Sequence, residues 1–366
     1  AMTSAVPWAT ARVAPTIELK TDNSTTCRLL VVKFPLFSAM LRFSLLLLLG
    51  TLLRFPVVAQ SFPNPLLPDG ADPWVTRHES WYFYTHTTGK NLTLWKTRDL
   101  ADLAKAESKV VWTPPATGPN SAEIWAPELH RLDGRWYLYY TATDKANFGD
   151  LTRYVFVLEN PSPDPLQGTW TDRGRMNTKY TGLDGSVFEH RGQRYFLYSA
   201  YVGPQSQLLI ARMKNPWTLE GPEVLLAKPE FDWEKYDNRE ICEGPEFLQK
   251  DARSPLNIVY SASACWDDDY CLGLLTAPPD ADPMDASAWK KTPQPVFEKS
   301  VKNGVYGPGH NGFFKTETGK NYLLYHAKSV ANKACRERNP RAQAFGWKPD
   351  GTPDFGEPVK AGAAAR

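Results

Sequence analysis

The sequence predicts an all-β chain built as a five-bladed β-propeller, and three observations carry that expectation. Five short aromatic segments end in a tyrosine (Tyr84, Tyr140, Tyr198, Tyr260 and Tyr325), at spacings of 56, 58, 62 and 65 residues. Each tyrosine follows, by twelve to seventeen residues, a polar residue at the end of a short apolar run: Asp72, Glu128, Asp184, Glu243 and His310. Long amphipathic helical patterns are absent. A repeat of this size gives room for four short strands and their turns, which is one propeller blade. In a β-sandwich that shared only the composition, the five polar residues would scatter along the edges; in a propeller they line the mouth of the central channel.

Along the chain, residues 1–39 show no sustained period and read as an upstream extension, non-native or untranslated, with translation starting at Met40. Residues 40–59 have the three-part layout of a secretory signal peptide. Met40-Leu41-Arg42 is the basic start, Ser44 to Leu53 the apolar stretch, and Val57-Val58-Ala59 the small-residue exit. The apolar run is broken by Arg54 and Pro56 and is shorter than the roughly 20 residues a membrane span needs. The propeller domain is therefore expected over 60–366.

The chain holds 42 Lys and Arg against 40 Asp and Glu, of which six and two lie before Gln60, leaving 36 against 38. No basic stripe remains for nucleic acid or for an anionic membrane. Four cysteines follow the leader (Cys242, Cys265, Cys271 and Cys335), too few for a disulfide scaffold and without zinc-site spacing. Asn91-Leu92-Thr93 is an N-glycosylation sequon.

The clearest strands are Trp81 to Thr85, Trp136 to Tyr140, Tyr195 to Tyr198, Leu256 to Tyr260 and Tyr322 to Tyr325. Asp133-Gly134 and Arg191-Gly192 are hairpin signals beside them. Four carboxylates and one imidazole gathered at an axis repel one another and spread their pKa values, as acid and base chemistry at one site requires. Flanking Gly and Pro residues interrupt the strands where side chains turn inward.

Trp74, Trp125 and Trp266 are candidates for stacking on a sugar face. A carboxylate pair in such a pocket points to glycoside hydrolysis, with one acid protonating the leaving oxygen while the other activates water or attacks the sugar. Glu246 competes with Glu243, and strand alternation would put the two on opposite faces, so that only one serves. Asp267-Asp268-Asp269 lacks the glycine and distal glutamate of a calcium-binding loop and reads as solvated. Cys242 reads as a small buried filler.

Ala71-Asp72-Pro73-Trp74, Ile124 to Leu129, Leu183 to Val187, Glu243-Gly244-Pro245 and Tyr306 to Gly312, taken in order, resemble glycoside hydrolase family 43. The likeness is strongest to its exo-acting α-1,5-L-arabinofuranosidases and runs from about Asn64 to Pro358. It implies an inverting mechanism with no required cofactor. Asp72 would be the general base, Glu243 the general acid, and Asp184 the third acid that orients the general acid and raises its pKa. Glu128 and His310 would lie at the substrate. His310 on the axis would hold water, or a structural calcium or sodium ion through water. Arg338 falls at the place of a substrate-contacting arginine, with Arg341 as the competing choice, and Cys265 and Cys335 would pair as a disulfide.

The implied protein is a secreted, extracellular monomer acting on arabinan, arabinoxylan or arabino-oligosaccharides, from which it releases terminal α-L-arabinofuranose. A β-xylosidase or an endo-arabinanase would use the same acid and base machinery. A non-catalytic carbohydrate-binding propeller is the alternative outside enzymes, and the presence of all three acids argues against it.

Overall fold

Aromatic and β-branched segments separated by Gly, Pro and Asp form twenty-two strands and, among the described residues, only five short 3-10 helices. The structure is a computed structural model and describes residues 62–362. The expected upstream extension and signal peptide lie outside the described residues. No helix among the described residues is long and apolar enough to cross a membrane.

The protein is nearly all-β, and its strands follow one another as antiparallel meanders. The first comprises β1 (Ala71–His78), β2 (Trp81–Thr87), β3 (Leu92–Thr97) and β4 (Glu107–Trp112). The second is β5 (Ala122–Leu132), β6 (Arg135–Thr143), β7 (Tyr154–Asn160) and β8 (Thr171–Arg175). The third is β9 (Gly182–His190), β10 (Gln193–Val202), β11 (Gln205–Asn215) and β12 (Thr218–Ala227). After the two-residue β13 (Lys235–Tyr236) comes the fourth, β14 (Arg239–Leu248), β15 (Leu256–Ala262), β16 (Cys271–Ala277) and β17 (Lys290–Lys291). The fifth is β18 (Tyr306–Lys315), β19 (Asn321–Lys328) and β20 (Arg338–Ala344), followed by the small β21 (Gly346–Trp347) and β22 (Pro353–Asp354) hairpin.

A short parallel pairing of Gln205 and Ser206 with Glu240 and Ile241 joins the third and fourth meanders into one sheet. At Asp133-Gly134 and Arg191-Gly192 both turn residues have positive φ (50° and 76°, 50° and 78°), as a two-residue hairpin that matches strand twist demands.

The first strands touch in cyclic order: β1 meets β5, β5 meets β9, β9 meets β14, β14 meets β18, and β18 returns to β1. Apolar burial follows the same order. One cluster joins Leu92 and Leu94 to Trp136 and Leu138, a second joins Tyr139 and Val157 to Phe196 and Tyr198, and a third joins Leu208 and Ile210 to Ile258 and Tyr260. A fourth joins Val259 and Leu274 to Leu323 and Tyr325, and the fifth joins Tyr322 and Phe314 back to Tyr82, Tyr84 and Phe62. The segment before β1 lies along β20: Leu66 N–H donates to Pro340 O (2.8 Å), Gly70 N–H to Arg338 O (3.0 Å), and the Asn64 amide bonds Ala342 both ways (2.9 Å each).

Each first strand carries a β-bulge at a residue of positive φ: Asp72 (54°), Ala126 (43°), Asp184 (56°), Gly244 (54°) and His310 (49°). A bulge adds a residue to one strand and re-aims the side chains around it. These five positions are equivalent, which corrects the equivalence expected from the tyrosine offsets. Glu128 lies two residues beyond its bulge, in line with Trp74, Ser186, Glu246 and Gly312. Glu243 lies one residue before its own, in line with Trp125 and Leu183.

Candidate active site

The bulges open onto a pocket of about 390 Å³, lined among others by Asp72, Trp125, Asp184, Glu243, Trp266, His310 and Arg338. Its size is that of a small-ligand site. Asp72 is 9 % exposed and almost fully bonded. Its Oδ2 accepts from the Thr87 hydroxyl (2.6 Å) and its Oδ1 from Arg338 Nη1 (3.0 Å), with His310 Nδ1 at 3.5 Å. Its backbone N–H donates to His326 Nδ1 (3.1 Å), whose ring burial holds neutral, with a pKa pushed down to about 3. Burial alone would raise the Asp72 pKa, but the Arg338 charge, helped by His310, reverses this and holds the carboxyl well below the usual range. Asp72 is thus ionised at neutral pH.

Glu243 stands in the opposite condition. Burial pushes its pKa up to about 7; the Tyr270 hydroxyl, donating to Oε1 at 2.7 Å, opposes the rise, and the Asp72 charge adds to it. Asp184 is also raised well above its ordinary value by burial and by the Glu243 and Asp72 charges, and its Oδ2 accepts the Gly244 N–H at 3.0 Å. It therefore grips the backbone beside Glu243. One buried carboxylate ionised and another carboxyl holding its proton supply a base and an acid within one pocket.

Other residues depart from expectation. Trp74 does not line the pocket: its indole N–H donates to Leu129 O (2.9 Å) and its ring packs on His130, so it seals the contact between β1 and β5. Glu128 does not line the pocket; it is buried beside it, with its Oε2 2.8 Å from His130 Nε2 and its charge acting on Asp184 and His310. Glu246 is not on the far face of its strand from Glu243. The bulge at Gly244 absorbs a residue, and Glu246 accepts from the Ser186 hydroxyl (3.0 Å) close enough to feel Asp184, so both glutamates interact with that carboxyl's charge. Arg341 is fully buried and bonds Asn339 and Ser329, which leaves Arg338 as the arginine of the pocket. Trp125 does line it, with the Arg153 guanidinium 4.2 Å from its ring centre.

Cys265 and Cys335 form a disulfide at the pocket wall, and Arg338 Nε donates to the Cys335 carbonyl (3.1 Å). The aspartate run is solvated only at Asp269: Asp267 is 3 % exposed and paired with Lys333, and Asp268 accepts from the buried Lys328 (2.8 Å) and the Asn332 N–H (3.0 Å). Cys242 is a buried free thiol whose pKa burial pushes well up. Among the described residues no group of three or more His, Cys, Asp or Glu side chains could hold a metal ion. A hard cation near His310 would have to draw most of its ligands from water.

Sequence reasoning missed the residues that hold the bulges. The residue after the repeat tyrosine bonds the backbone at the next bulge in four meanders: Thr141 to Asp184 N (3.1 Å), Ser199 to Cys242 O (2.8 Å), Ser261 to His310 N (2.7 Å) and His326 to Asp72 N. The signal was there, a polar residue recurring directly after each tyrosine.

An all-β chain with a pocket in which one buried carboxylate is ionised and another carboxyl is protonated has the make-up of a glycosidase. The model described as Glycosyl hydrolases family 43 matches residues 62–353, and the chain belongs to that family. It is 38 % identical over 294 residues, 76 % of this chain and 88 % of the other, to an extracellular exo-α-(1→5)-L-arabinofuranosidase of Streptomyces chartreusis. It is 36 % identical over 319 residues to α-L-arabinofuranosidase 43 of Humicola insolens, covering 83 % of this chain and 65 % of that longer relative. The crystal structure of an α-L-arabinofuranosidase from Lactobacillus brevis matches with a TM-score of 0.77 at 33 % identity, over 82 % of this chain and 98 % of that one.

Proposed function

We propose that this family 43 glycosidase is a secreted, inverting α-L-arabinofuranosidase that releases terminal arabinose from arabinan or arabino-oligosaccharides. The observation that carries the reading is the opposite protonation of Asp72 and Glu243 in one pocket. The printed activities of the relatives supply the sugar, and the 40–59 leader together with the word extracellular in a relative's name supports secretion. The cyclic order of first strands and of apolar clusters supports a five-bladed propeller.

Asp72 takes a proton from water as the water oxygen bonds the anomeric carbon. The glycosidic C–O bond breaks on the opposite face, and the leaving oxygen receives the proton of Glu243. Thr87 and Arg338 fix both oxygens of the base. Asp184, itself raised by the Glu243 charge, fixes the backbone at Gly244 beside the acid. Trp125, backed by Arg153, and Trp266 offer stacking surfaces for the sugar. Calcium or sodium near His310, held through water, would be structural.

The test uses Asp72→Asn and Glu243→Gln variants on linear α-1,5-arabino-oligosaccharides and on an aryl α-L-arabinofuranoside. Asp72→Asn should lose about 10²–10⁴-fold on both substrates. Glu243→Gln should lose as much on the oligosaccharide and much less on the aryl substrate, whose leaving group needs little protonation. Wild-type rates in Asp72→Asn would sink the reading. Binding without release by the unmodified protein would favour a carbohydrate-binding propeller, and preference for xylosides a β-xylosidase.

A further inference from the structure

The Gly-Pro-Gly-His stretch of β18 has a spatial reason that leads to a residue outside the acid set. A Cβ on Gly309 would lie 2.2 Å from Cε1 of Tyr270, so the glycine is there to let the tyrosine ring pass. That ring is 1 % exposed and lies parallel to His326, with centroids 5.6 Å apart and planes at 4°. Packing thus leaves the phenol one direction, and its hydroxyl donates to Oε1 of Glu243 at 2.7 Å.

We infer that Tyr270 is a positioning residue for the general acid: by occupying Oε1 it confines the transferable proton to Oε2, the oxygen left free for the leaving group. A carboxyl oxygen that already accepts a hydrogen bond is the poorer site for its own proton, so the bond selects the protonated oxygen as well as the rotamer. Without it, either oxygen carries the proton and the side chain is free to turn. Gly309 acts one step further back, by giving Tyr270 its place. The inference rests on the hydrolase reading above for the use of the proton, and on geometry alone for its location.

Several groups besides Tyr270 act on Glu243. Asp72 on β1 disfavours its charged form; Arg338 on β20 and Arg239 on β14 favour it; Asp184 on β9, which the Glu243 charge pushes up, Tyr201 and the neighbouring Cys242 also face it. All of these stay in place in Tyr270→Phe, which keeps the ring and removes only the hydroxyl. Losing a donor to the carboxylate must move the titration of Glu243 upward, the reverse of a general loosening that lets water in.

The experiment compares the full chain with Tyr270→Phe and Gly309→Ala, following the Glu243 carboxyl by ¹³C NMR titration and kcat/KM against pH on aryl and oligosaccharide arabinosides. Tyr270→Phe should raise the Glu243 midpoint and the alkaline limb together by on the order of one pH unit. It should also lower kcat by about tenfold on the oligosaccharide, with little change on the aryl substrate. Gly309→Ala should move both in the same direction. A midpoint that stays put or falls in Tyr270→Phe overturns the inference, as does an equal loss on both substrates. An unmodified protein that hydrolyses no glycoside would sink the hydrolase reading instead, and the NMR midpoint would still decide the bond to Tyr270.

Discussion

Replacing Arg338 by Gln should move the acid side of the pH–rate profile upward, and the alkaline side upward by less, because the same arginine also favours the charged form of Glu243. Arg338 is the first of the groups that lower the Asp72 pKa against burial, and it meets Oδ1 at 3.0 Å in a contact where both side chains are nearly buried. At an effective dielectric near 20, a pair of unit charges 4 Å apart is worth about 4 kcal/mol. At about 1.36 kcal/mol per unit, that is roughly three pH units. Thr87 and the nearby His310 keep their contacts, and water replaces the guanidinium, so this figure is the upper bound on the rise.

The sign follows from the role. Asp72 works ionised, so activity is lost as pH falls through its pKa, and raising that pKa brings the loss to milder acid. Glu243 works protonated, so activity is lost as pH rises through about 7; Arg338 is a lesser cause here than burial, Tyr270 and Asp72, so its loss moves this limb upward by less than the acid limb. The assay is kcat/KM on a linear α-1,5-arabino-oligosaccharide from pH 3 to 9, which reports the free enzyme and needs both the base and the acid. An acid limb unmoved in Arg338→Gln, with the protein folded, would refute the claim that this arginine keeps the base ionised.

Two further outcomes test the framework around the site. Cys265→Ser with Cys335→Ser opens a cross-link between residues 70 apart in sequence and should cost about 4 kcal/mol of stability, read as a fall in Tm; because the Cys335 carbonyl holds Arg338, the acid limb should also rise. Gly273→Ala would place a Cβ 2.3 Å from Cζ of Tyr260, so it should destabilise by about 1–3 kcal/mol through overpacking, seen as a lower denaturation midpoint with both pH limbs unchanged.

The repeat tyrosines were legible because burial on the second strand of each meander demands an aromatic residue, and all five are buried. The all-β class followed from them. Asp72, Asp184, Glu243, His310 and Arg338 were legible too, and they share one pocket. Glu128 was misplaced for a geometric reason. It stands twelve residues before Tyr140, as Asp72 does before Tyr84, but hairpin length varies among the meanders and the true equivalent of Asp72 is Ala126. Only the bulge, visible as a register shift, sets the alignment. Trp74 looked like a stacking surface because its sequence neighbours were right, whereas its indole is committed to Leu129 O on the next meander. His326 went unread because it reaches Asp72 across meanders, where sequence distance says nothing about contact; Thr87 and Tyr270 reach their carboxylates within their own meanders but fall outside the tyrosine repeat.

The most direct measurement is a proton NMR time course of the protein, produced from Gln60, acting on linear α-1,5-arabino-oligosaccharides. With Asp72 activating water on the face opposite the bond that Glu243 protonates, arabinose should be the only sugar released early and should appear first as the β anomer. First appearance of the α anomer would contradict the assignment of Asp72 as a base acting through water.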